Sequence, residues 1–212
     1  MPRGRARFVA GVAVLAALSA CRTIPPPAPV LGPGADAPWP EQRARLESFD
    51  RFNLNGRVAV AANGQGFTAS LRYQQQPGES HLSLDGPLGI GGLRVALDGE
   101  DLAVETSRGE KLDGAAAREE LERRLGFPLP LAELRWWLLG IPAPGGDATM
   151  RMDTASQEIT RFVQRGWSVT IEKRMPSLGF ALPQRLNAQR VGAEGEVEGE
   201  GARMKLVVER WQ

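Results

Sequence analysis

Along most of this chain apolar residues fall on every second position, the period of a strand with one dry face and one wet face. Leu54, Val58 and Val60 share one parity with Gly56 between them. Phe67, Ala69, Leu71 and Tyr73 alternate with Thr68, Ser70 and Arg72. Leu82 and Leu84 follow, then Leu93, Val95 and Leu97, then Leu102 and Val104. The turn-forming stretches "NGQG", "QPGES", "LDGED" and "SRGE" separate these runs, which predicts successive antiparallel hairpins. The second half repeats the habit in "TMRMD", "EITRFVQRGWSVTIEK", "PQRLNAQRV" and "ARMKLVVERWQ". The count comes to about ten or eleven strands.

Two segments break the alternation. "GAAAREELERRLGF" carries acidic residues early and basic residues late, the order that complements a helix dipole, with Leu121 and Leu125 one turn apart. "LAELRWWLLG" sets Leu131, Leu134 and Leu138 on one stripe with Trp137 beside it, and Gly140 is placed to end that helix. The prolines of "FPLPL" bend the chain between them, and "PEQRARLESF" predicts a third, shorter helix. Strands on both sides of a helical insertion predict a mainly β, α+β fold: an antiparallel incomplete barrel closed by helices. No internal repeat is present.

The beginning of the chain has a different character. Arg3, Arg5 and Arg7 precede an apolar run from Phe8 to Leu18, too short to span a bilayer but suited to a secretory signal. The run closes on Leu18-Ser19-Ala20-Cys21, which resembles a bacterial lipobox and contains the only cysteine. Cys21 is therefore expected to be the lipidation site, with residues 1–20 removed as the signal peptide. Arg22 follows it where the enteric sorting rule would need Asp for inner-membrane retention, which points to the outer membrane. Prolines at 25–27 and 29 begin a stretch rich in Pro and Gly, expected to be an extended tether over 21–40. Residues 41–212 are then the globular body.

Charge and composition mostly exclude. Losing the three early arginines takes the net charge from +1 to −2, with no basic footprint for nucleic acid. A lone cysteine allows no internal disulfide. The single histidine, His81, leaves no metal cluster, and a Ser/His/Asp triad would have to use it. "GIGG" at 89–92 is not a phosphate-binding loop; "EELE" is a solvated helix face and "GEVEGEG" a hairpin tip. No cofactor and no catalytic residue is expected. A lipid-anchored structural protein that binds a partner through its sheet, with a solid core, fits this composition as well.

"LGFPLPLAELRWWLLGIPAP" resembles the LolB family, whose "PLxxLRxWxLGxP" pattern is matched by Pro130, Leu131, Leu134, Arg135, Trp137, Leu139, Gly140 and Pro142. Gly56, "YQQ" at 73–75, "PLG" at 87–89 and a Trp beside the C-terminus extend the similarity. One departure is Tyr73, where the family leads us to expect a tryptophan. The resemblance implies an outer-membrane receptor, facing the periplasm and monomeric, that accepts lipoproteins from a LolA-like carrier and inserts them into the inner leaflet. It would hold their acyl chains between sheet and helices.

By parity the lining candidates are Phe67, Leu71, Tyr73, Leu82, Leu84, Val95 and Leu97, with Leu134, Trp137 and Leu138 from the helix. On parity alone the same stripe is ordinary core; only the resemblance makes it a cavity wall. The apolar segment Pro87, Leu88, Gly89 and Ile90 could plug the end of the sheet. The resemblance instead makes it a protruding loop, with Leu88 facing the membrane.

Overall fold

A computed structural model of the chain describes residues 37–86, 92–192 and 201–212. Cys21, with the signal and nearly all of the tether, lies outside the described residues, as do Pro87, Leu88, Gly89 and Ile90. Eleven strands form one sheet in which every neighbouring pair is antiparallel. They are β1 (Phe52–Ala62), β2 (Gln65–Gln76), β3 (Glu79–Asp85), β4 (Leu93–Asp98), β5 (Asp101–Thr106), β6 (Lys111–Asp113), β7 (Ala148–Met152), β8 (Ile159–Gln164), β9 (Trp167–Ser177), β10 (Phe180–Arg190) and β11 (Arg203–Trp211). Three helices accompany them: α1 (Trp39–Glu47), α2 (Gly114–Leu125) and α3 (Leu131–Leu138).

The spatial order is β6-β5-β4-β3-β2-β1-β11-β10-β9-β8-β7. Each half is a plain meander, and the ladder between β1 and β11 joins them. The two free edges are β6 and β7, so the sheet is open. Those edge strands are consecutive among the strands of the chain, and α2 and α3 are the connection between them. The helices inserted at mid-chain therefore cross the gap that the strands leave.

Alternation decides the faces. Phe52, Leu54, Val58 and Val60 of β1 are buried on the concave side, as are Leu71, Tyr73, Leu82, Leu84, Val95 and Val104 on its neighbours. The convex side carries exposed ion pairs, Arg57–Glu209 at 2.7 Å, Arg72–Asp85 at 2.6 Å and Arg94–Glu105 at 3.1 Å. Such solvated pairs add little stability, and their main effect is to keep that face wet.

Gly56 controls the central ladder. The register slips between Asn55 and Gly56, so that Asn55 faces Arg210 and Gly56 faces Val208. At this bulge the strands approach so closely that a Cβ on Gly56 would overlap the carbonyl oxygen of Val207. The neighbour in conflict is backbone and cannot swing aside.

Helix α1 has Pro40 in its first turn, where the missing N–H costs nothing. It packs Trp39 and Leu46 onto the concave face and is held by Arg174 from β9. The guanidinium lies 5.0 Å from the Trp39 ring centroid and donates to Ala181 O at 2.9 Å and Ile159 O at 2.8 Å. Burial lowers its pKa and the nearby Glu158 carboxylate opposes that shift.

Gly56→Ala should lower stability by about 2 kcal/mol through distortion of the β1–β11 ladder. Thermal unfolding followed by circular dichroism checks it; an unchanged midpoint would mean that the bulge relaxes freely.

Candidate functional site

Between the middle of the sheet and α3 the packing leaves a cavity of about 80 Å³. Its walls are Val58, Val60, Leu71, Leu82 and Leu84 from β1–β3, Val169, Leu186, Ala188, Met204 and Leu206 from β9–β11, and Leu125, Leu129, Leu134, Trp137 and Leu138 from the helical insertion. Every lining side chain is apolar except for the indole N–H of Trp137, and that group is satisfied. Nothing on the wall is left to bind water, so the space is dry.

One buried amide ties the roof to the sheet. Gln164, buried on β8, accepts from Trp137 Nε1 and from the Ala143 backbone N–H, each at 2.9 Å, and donates to Ala143 O at 2.9 Å. These bonds secure α3 and the segment after it to the sheet beneath. Trp137 also meets Phe162 edge-on at 6.2 Å and Trp167 at 6.4 Å. Gly140 ends α3 with φ +77°; its N–H donates to Trp137 O and that of Ile141 to Trp136 O, closing the helix in a Schellman turn. At the same helix Arg135 donates to Glu47 O and Phe49 O, both at 3.2 Å, and ties α3 to the end of α1.

Of the expected lining residues, Leu71, Leu82, Leu84, Leu134, Trp137 and Leu138 meet around this cavity. Val95 is buried in the same core without reaching the void. Leu97 lies instead in an outer groove beside α2. Phe67 points to the concave side but is 38% exposed. Strand β3 ends at Asp85 opposite Ser70, so β2 runs on past it and Phe67 gains no β3 neighbour.

Tyr73 joins an aromatic cluster at the end of the sheet where β1 begins. Phe52 lies 5.8 Å from Tyr73, 5.6 Å from Trp211 and 5.6 Å from Phe49. The Tyr73 hydroxyl donates to Gln75 Oε1 at 2.6 Å. Burial pushes its pKa up to about 12, against smaller opposing effects from Ser80 and the Arg135 charge.

The lining residues from β1, β9, β10 and β11 were not nominated from the sequence. Their parity signal was present, but their position opposite α3 depends on the β1–β11 ladder. Among the described residues no cluster of His, Cys, Asp or Glu could hold a metal ion, and no helix is long and apolar enough to cross a membrane.

An open antiparallel sheet with helices across an apolar cavity defines a half-barrel protein. Solved structures that share the fold include a LolA superfamily protein from Nitrosomonas europaea (TM-score 0.50, 10% identity, 83% of this chain and 93% of that one) and a putative outer membrane lipoprotein-sorting protein domain from Vibrio parahaemolyticus (TM-score 0.52, 11% identity, 82% and 89%). The family model for outer membrane lipoprotein LolB matches residues 50–211, and the chain belongs to that family. Relatives named outer-membrane lipoprotein LolB include those of Stutzerimonas stutzeri, 28% identical over 92% of this chain and 90% of the relative, and Pseudomonas paraeruginosa, 26% identical over 98% and 97%. The protein is thus an outer-membrane lipoprotein of the Lol system and not an enzyme.

The tyrosine gives a pH test. Its pKa is higher in the fold than the ordinary 10, so its contribution is complete below pH 10 and disappears as pH rises through about 12. Stability should fall by about 3 kcal/mol across that window, and Tyr73→Phe should remove this component. As the chain has one tyrosine, phenolate absorbance of the folded protein reads the titration directly; ionisation near pH 10 would contradict it.

Proposed function

We propose that this protein accepts lipoproteins from a periplasmic LolA-like carrier, shelters their acyl chains under α3, and delivers them to the inner leaflet of the outer membrane. The observation that carries this is the wall of the cavity: sheet and helix together present apolar side chains around a dry space. Each buried methylene gains about 0.8 kcal/mol, so a chain of about sixteen carbons gains on the order of 12 kcal/mol. Such a chain needs shelter in water, and a bilayer takes it up downhill without a nucleotide.

The space of about 80 Å³ holds a few water-sized groups and not a full acyl chain. Loading requires the α2 side of the helical insertion, held by apolar contacts, to give way, exchanging those contacts for contacts with the ligand while α3 stays secured. Lipidated Cys21 would hold the body at the membrane as a monomer facing the periplasm. Leu88 would lead delivery. The connection that contains it leaves the sheet at the same end as the β1–β2 turn, the end where Phe67 is exposed.

Two measurements bear on the proposal. Saturable displacement of an apolar dye by acyl detergent is expected for the chain with Cys21→Ala, and Leu134→Glu should weaken it about tenfold or more. No saturable binding by the parent would favour a solid-core structural lipoprotein. With a labelled lipoprotein on the carrier, Leu88→Glu should still accept the cargo but fail to transfer it to liposomes, since a charge opposes insertion among anionic headgroups. Normal transfer by this variant would remove Leu88 from the delivery step.

A further inference from the structure

The cavity has a neighbour on the outer side of the helices. A groove of about 480 Å³ lies between α2 and the segment Pro128–Glu133, extending to Leu97, Gly99 and Glu100 at the β4–β5 turn. This is within the size range of small-molecule sites, which the inner cavity is not. Leu97, Leu121, Leu129 and Leu131 supply the apolar part of the groove, and about as much of its surface is polar, from Glu100, Arg118, Glu122 and Glu133. Among the described residues, Leu129 alone lines both the groove and the inner cavity.

The backbone presents Leu129 between two fixed points. On one side Phe127 packs 5.2 Å from Trp167. On the other, α3 is secured by Gln164 and Arg135. Pro128 and Pro130 restrict the chain on either side of it, and Pro130 sits at φ −77° and ψ 78°. There the Leu131 N–H donates to Leu129 O at 2.9 Å, an inverse γ-turn. Leu129 itself is only partly buried against the core. A half-buried side chain on a stiff short strap can change rotamer while the backbone stays in place.

We propose that Leu129 is the gate between the two spaces: an acyl chain lies first in the outer groove and passes Leu129 to reach Trp137 and the sheet. This rests on the acyl-binding function proposed above and adds the route in. The charges at the groove specify the chain further. Glu133 is engaged by Arg165 at 2.8 Å, which leaves Glu100 and Glu122 with Arg118. A surplus of carboxylate repels an ionised fatty acid and accepts an uncharged acyl ester or amide. The outer route therefore favours an uncharged chain over an ionised fatty acid.

Stopped-flow fluorescence of the chain carrying Cys21→Ala tests this, using a monoacylglycerol brominated at the far end of its chain. Bromine reaching the cavity quenches Trp137, and Trp137→Phe should remove that component. Leu129→Ala should accelerate quenching about tenfold, while its final amplitude at saturation is kept. Ala132→Phe fills the groove from an exposed position of α3, with little cost to folding, and should slow quenching by a similar factor. The matching ionised fatty acid should arrive several-fold more slowly than the glyceride. Unchanged rates in both variants, or a loss of affinity in Leu129→Ala without a change of rate, would overturn the gate. Equal rates for the two probes would overturn the preference for a neutral chain. Absence of quenching in the parent is a separate result, which removes acyl binding itself.

Discussion

The ladder between β1 and β11 is the constraint from which the rest of the molecule follows. It places the first and last strands side by side at the centre of the sheet, which forces the two mid-chain strands β6 and β7 out to the opposite edges. Whatever joins those edges must cross the concave face. The helical insertion is that crossing, so a roof over the sheet is a result of strand order and needs no separate docking element. Gly56 makes the ladder possible, because the backbone of β11 occupies the space a side chain would take there.

The roof is held unevenly. Helix α3 is fastened by directional contacts, with the Gln164 amide satisfying Trp137 and Ala143, and Arg135 satisfying carbonyls of Glu47 and Phe49. Breaking the Gln164 bonds leaves a buried polar group without a partner, which costs more than a formed bond contributes. Helix α2 is held mainly by Ala117, Leu121 and Leu125, which are buried in the core. Apolar contacts are nondirectional, and an acyl chain can replace them at little net cost. The physics therefore assigns rigidity to α3 and accommodation to the side bordered by α2.

Much of this architecture was legible in the sequence because alternation and turn residues are local signals. They marked the strands, and the charge order and leucine spacing marked α2 and α3. The site was legible only in part. Parity gave the correct face for Leu71, Leu82 and Leu84, but it carries no information on how far along the sheet a residue lies. Phe67 has the right parity and sits beyond the end of β3, while Tyr73 has the right parity and sits in the aromatic end cluster with Phe52. Val169, Leu186 and Leu206 reach the cavity through pairings between distant segments, which no local pattern records. Leu129 was visible only as part of a proline-bent linker, and its place between two cavities depends on how that linker lies across the sheet.

The strand order also sets the course of folding. Either meander, β1–β6 or β7–β11, consists of neighbours in sequence and can form through short loop closures. The β1–β11 ladder alone spans nearly the whole body, from Leu54 paired with Trp211 to Ala61 paired with Arg203. Closing so large a loop carries an entropy cost before any contact offsets it, so this ladder sets the pace of folding. Until it closes, β1 and β11 each present one unpaired edge that can recruit another chain. During synthesis from the N-terminus β1 is finished long before β11, and that interval is the period in which the nascent body is most exposed to misassembly.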